Sequence, residues 1–241
     1  MSLPVARPKL RPPMITATLR LAMATTVDGV KAFQGIPFEA VDFYEELEVN
    51  NSRHWWAAHR GRYDTAVRAP MEALGGALED EFGEVKVFRP NRDVRFAQDK
   101  SPYKTHQGVV VSTASRMGWY VQISAEGLMT AAGWYAASPG QVARYRAALD
   151  DEELGAELQR IVAELRGAGF VVDGERLKTR PRGAAPDHPF LDLLRHRTLT
   201  AAREYGAPDW LATPEVPGRV RGDWRAYRPL IEWLARHVGD G

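Results

Sequence analysis

The chain has 241 residues, 44% of them hydrophobic, 10% aromatic and 26% charged, which excludes a collagen-like, coiled-coil or wholly disordered polypeptide. No run reaches the ~18 apolar residues of a membrane-spanning helix, so no membrane partner is expected. Cysteine is absent, which removes disulfides, thiolate metal sites and cysteine nucleophiles and points toward the cytoplasm.

The net charge is +1, but residues 1–31 carry +4 and the remaining body −3. That opening segment has four prolines within its first thirteen residues and no hydrophobic period. Arg20 breaks its one apolar stretch, unlike the unbroken core of a secretory signal. We expect a disordered basic extension over 1–31, then one domain over 32–241. A mildly acidic body argues against a surface that coats nucleic acid.

From Pro37, residues Phe38, Val41, Phe43, Tyr44 and Leu47 recur at helical spacing. After Asn50-Asn51-Ser52 a second apolar stripe runs through Trp56, Tyr63, Val67, Met71, Leu74, Leu78 and Phe82. Pro70 predicts a kink or a junction of two helices within it. The period then becomes two, predicting strands over 85–89, 93–97, 106–113, 118–124 and 127–135. Turn signals at 114–118 and 124–127 predict antiparallel neighbours. Helices are expected from Pro139 and over 151–167, a hairpin turning at Asp173-Gly174 within 170–178, and a loop over 179–189. A short helix (189–195), a strand (197–204) and a last helix carrying Tyr227, Leu230, Ile231, Leu234 and Val238 follow. The fold class expected is α+β: a curved antiparallel meander flanked by a long N-terminal helix and a C-terminal helix.

Polar chemistry concentrates in RPNRDVRFAQDKSPYKTH (89–106), where Arg89, Arg92, Arg95, Lys100 and Lys104 outnumber Asp93 and Asp99. Alternation from Val85 and Val87 would turn Arg89 inward. Guanidinium forks grip phosphate or carboxylate oxygens, so the block suggests an anion site; internal Arg–Asp pairing is its structural alternative. Arg53 and His54 open the second helix, where the macrodipole favours acids, and a bound anion there would compensate. We therefore expect anion binding by Asn51, Arg53, Arg89, Arg92, Arg95, Lys100 and Lys104, with Asp93 or His106 as acid/base candidates.

Other motifs carry less. Ser101-Pro102-Tyr103-Lys104 matches S-x-x-K, but the companion motifs of penicillin-recognising enzymes are absent. The six histidines form no metal signature, and no metal or cofactor is expected. Gly75-Gly76 is no phosphate loop, and Trp55-Trp56 and Trp119-Tyr120 fit core spacing. Asp187-His188-Pro189 reads as a turn.

NNSRHWWAAHRGRYDTAVRAP (50–70), FRPNRDVRFAQDKSPYKTH (88–106), GWYVQIS, AAGWY and LKTRPRGAAPDHP (177–189) together resemble the conserved bacterial family catalogued as domain of unknown function 2461, over about 37–238. The resemblance implies that Asn51, Arg53, Trp56, Tyr63, Arg89, Arg92, Asp93, Arg95, Phe96, Asp99, Lys100, Pro102, Tyr103, Lys104 and His106 occupy motif positions. It implies one domain and carries over no reaction. Trp55-Trp56 departs from the pattern, which has tryptophan then phenylalanine. The function expected is binding, with turnover as an extension, of a small anionic or phosphorylated ligand. The rival is a non-catalytic module meeting nucleic acid or an acidic protein through the same block.

Overall fold

The computed structural model describes residues 33–95 and 98–239; the extension expected over 1–31 lies outside the described residues. Helix α1 (Glu39–Asn50) buries Ala40, Val41, Phe43, Tyr44 and Leu47 on one face. Asn51 breaks it, and the Ser52 hydroxyl caps α2 (Arg53–Arg62) by accepting from the Trp55 amide at 3.2 Å. Ahead of Pro70 the backbone widens into a π-helical turn, Tyr63–Arg68, in which the Ala69 amide reaches back to the Asp64 carbonyl. Pro70 has no N–H to donate and its ring crowds the preceding turn. The kink expected at this proline thus takes the form of a wider turn, after which α3 (Ala69–Phe82) completes the stripe.

Among the described residues six antiparallel strands form one open sheet: β1 (Val85–Val87), β2 (His106–Ala114), β3 (Met117–Ser124), β4 (Gly127–Trp134), β5 (Val171–Asp173) and β6 (Leu199–Gly206), in the order β1-β2-β3-β4-β6-β5. The first four are the expected meander. Between β4 and β6 come α4 (Pro139–Asp150), α5 (Glu152–Gly167) and the short α6 (Leu191–Leu194); α7 (Val216–His237) closes the chain. The domain is α+β, as its pattern of elements indicated.

Helices α1, α3 and α7 cover one sheet face. Val109, Val111, Val121, Ile123 and Trp134 point into that side and are fully or almost fully buried. A reciprocal bond seats α7: Trp119 Nε1 donates to the Trp224 carbonyl at 3.1 Å, and Trp224 Nε1 to the Tyr120 carbonyl at 3.2 Å. Strand alternation sends Gly108, Val110, Gly118, Tyr120, Ala131 and Gly133 to the opposite face.

Three local expectations are corrected. Of the strand expected over 93–97, residues 93–95 form none, and 96–97 lie outside the described residues. Pro90 and Pro102 flank this stretch, and the ribbon is held across its base by Arg92 N–H to Pro102 O (2.9 Å) and Lys104 N–H to Pro90 O (2.8 Å). Side-chain pairing between Asp93 and Arg95 then takes the place of a ladder. Residues 170–178 make no hairpin of their own. Instead 171–177 run alongside 195–202, with the Leu177 amide on the Arg195 carbonyl at 2.8 Å. Arg89 does not follow Val87 inward but is exposed, because β1 ends at Val87 and Pro90 stops its continuation.

Candidate functional site

The cationic block forms an irregular ribbon that extends β1 and β2 beyond the sheet. Two anchors fix it. The Asn51 amide donates to the Tyr103 carbonyl at 2.9 Å and accepts from the Tyr103 N–H at 3.1 Å, tying the ribbon to the α1–α2 junction. Gln107, nearly fully buried, accepts from the Tyr63 hydroxyl at 2.6 Å and donates to the Phe88 carbonyl at 2.7 Å. Tyr63 sits at the start of the π turn, so the helical irregularity and the ribbon meet in one bond. Burial chiefly pushes the Tyr63 phenol up to about 12, which keeps it a donor.

Because Gln107 faces the helices, its neighbour His106 faces the open side. The Lys104 ammonium lies 4.9 Å from the centroid of the Phe88 ring, within cation–π range. It is half-buried and makes no ion pair among the described residues. Burial, then the nearby Arg89 charge, lowers its pKa. Burial also lowers that of His106, with Lys104 and Arg92 adding to it. His106 is therefore neutral at pH 7, a proton acceptor beside two cations.

The other predicted residues are placed differently. Arg92 pairs with Asp99, whose carboxyl is held down to about 2, first by the Ser101 hydroxyl and amide and then by Arg92. Arg95 pairs with Asp93 at 2.6 Å, and that bond holds the exposed Asp93 below the usual carboxylate range. Asp93 is thus a poor proton carrier near neutrality. Lys100 donates to the Val94 carbonyl at 3.0 Å. Arg89 borders a helix-side groove of about 230 Å³ with Arg60, Arg68 and Glu72. Arg53 is exposed on the first turn of α2. The structure thus brings Lys104, His106 and Arg92 near one another, with Arg92 also paired to Asp99, and engages Asn51, Arg95 and Lys100 in internal contacts. Among the described residues no group of His, Asp and Glu gathers to hold a metal.

Two features escaped the sequence. Asp223, 4% exposed, accepts from Thr130 (2.7 Å), Tyr205 (2.8 Å) and Arg203 (2.9 Å) between α7 and the sheet. Nothing in the spacing of those residues links them. The second is an apolar cleft of about 260 Å³ on the open face, lined by Phe88, Tyr120 and the Gly118–Gly133 pair.

An open antiparallel sheet with helices on one face and a cationic ribbon extending β1 and β2 defines an α+β domain. Residues 39–233 match the family described as a conserved hypothetical protein (DUF2461), and the chain belongs to that family. No curated protein and no solved structure matches it. No helix among the described residues is long and apolar enough to cross a membrane.

Proposed function

We propose that the protein binds a small anionic ligand at the base of the ribbon, held by Lys104 with Arg92 and His106. One observation carries this reading: Lys104 is a half-buried ammonium that lacks a carboxylate partner among the described residues and rests on Phe88. Burying a cation costs free energy unless an opposite charge meets it, and a ligand would supply that charge. Should the ligand react, neutral His106 is the base and the two cations stabilise developing negative charge. The rival, a basic track for nucleic acid or an acidic protein, is less favoured because Arg95 and Lys100 are engaged locally and so do not line up as a track.

The test is a thermal-shift series with inorganic phosphate, nucleotides and dicarboxylates. A millimolar binder at ~10 mM adds about 1.4 kcal/mol, some 3–5 °C for a domain of this size. The reading requires a shift in the wild type that Lys104→Gln removes. No shift with any of these anions overturns it.

A further inference from the structure

Lys104 does not stand alone. The Phe88 ring beneath its ammonium is also a wall of the open-face cleft, so one aromatic ring separates the charge from the apolar hollow. Phe88 lies 6.2 Å, centroid to centroid, from Tyr120, which pairs across the strands with Val110 on one side and Ala131 on the other. Beyond Tyr120 the floor is Gly118 beside Gly133, followed by Thr200. Both glycines are demanded by the backbone. A Cβ at Gly118 would strike the Val111 carbonyl, and Gly133 holds φ +138° with the Leu199 carbonyl where its Cβ would be. The hollow is therefore built into the strand pairing. Tyr135, 57% exposed, stands at its mouth.

Resting on the anion site proposed above, we infer that the ligand is an amphipathic phosphomonoester: a phosphate at Lys104 and Arg92, with an aromatic or short aliphatic body in the cleft. The volume fits a body of about one ring. The lining is apolar apart from the Tyr120 and Tyr135 hydroxyls and Thr200, so it favours a body without charge. Lys104, with Arg92 paired to Asp99 through Nη1 and a histidine able to accept a proton beside them, offers the several oxygens of a phosphate more than one donor.

Calorimetric titration with inorganic phosphate, phenyl phosphate and phenol tests this. Phenyl phosphate is expected to bind roughly tenfold or more tightly than inorganic phosphate, because burying its ring adds apolar contact. Ala131→Leu, which fills the cleft, and Tyr135→Ala, which opens its mouth, should erase most of that advantage and leave inorganic phosphate binding unchanged. Tyr135 is more than half exposed, so its variant keeps the test intact if Ala131→Leu fails to fold. Equal binding of the two phosphates overturns the inference while the anion site stands. Binding of neither overturns both. A phenyl advantage indifferent to the variants places the body elsewhere and also overturns it. So does dimerisation that Tyr135→Ala abolishes, which would give the face to a second copy.

Discussion

Asn51 and Tyr103 are joined by a two-point amide clasp, donor and acceptor of one side chain matched to carbonyl and N–H of one residue. Asn51→Ala leaves both half-buried backbone groups without their partner and should cost about 1–3 kcal/mol. Asn51→Asp keeps the acceptor and should lose less. Urea denaturation gives the first number, and hydrogen exchange should show the ribbon amides opening in Asn51→Ala. Wild-type stability and protection in both variants would mean the clasp holds nothing.

Lys104→Gln should leave the ligand-free protein as stable as the wild type, or more so. It removes a half-buried cation that lies near Arg89 and His106. Loss of several kcal/mol would make Lys104 part of the scaffold.

His106 titrates below its ordinary value of 6.5, first because it is buried and then because Lys104 and Arg92 are near. A base whose folded pKa is depressed contributes stability that is fully present above pH 6.5. That contribution is lost as pH falls from there through the folded pKa, since the unfolded chain takes the proton first. His106→Gln should therefore flatten the stability profile below pH 6.5. In Lys104→Gln the NMR-titrated His106 pKa should rise toward 6.5. An unchanged profile in the first variant, or an unmoved pKa in the second, contradicts this electrostatic account.

Asp223→Ala should be the most damaging of these substitutions, at about 3–5 kcal/mol. It leaves the buried Thr130 and the half-buried Arg203 and Tyr205 without their shared acceptor. A midpoint close to wild type in denaturant would show that water fills the gap.

Arg92→Gln and Asp93→Asn discriminate site from scaffold. Both residues belong to pairs on the outside of the ribbon, Arg92 with Asp99 and Asp93 with Arg95, and such pairs add little to stability. Both variants should melt with the wild type, and only Arg92→Gln should abolish the shift induced by phosphate. A marked loss of melting temperature in Arg92→Gln alone, with no anion shifting the wild type, assigns it to the scaffold.

The hairpins around Ser115 and Ala125 were legible because strict alternation meets strong turn residues there. The first half of α7 was not: Pro217, Gly218 and Gly222 obscure its period, and with it the burial of Asp223 and Trp224. The 93–97 stretch alternates like a strand in sequence, yet periodicity does not register that flanking prolines and an Asp93–Arg95 pair keep residues 93–95 out of the ladder. The composition of the site was readable and its division was not. Only three-dimensional pairing separates Lys104 and His106 from Arg95 and Lys100. The cleft was invisible for a related reason: it is made of atoms that glycines lack, brought side by side by register.

Trp56 stacks on Tyr103 at 4.0 Å with 11° between the rings. Two chromophores held in that fixed chiral arrangement should contribute to the near-ultraviolet circular dichroism, a signal that depends on tertiary packing. One of them belongs to the ribbon and the other to α2. The molecule therefore carries its own optical gauge of ribbon docking, one that Tyr103→Leu would silence and that needs no attached label. Ligand-induced tightening or release of the ribbon should be readable in that band while far-ultraviolet ellipticity stays constant.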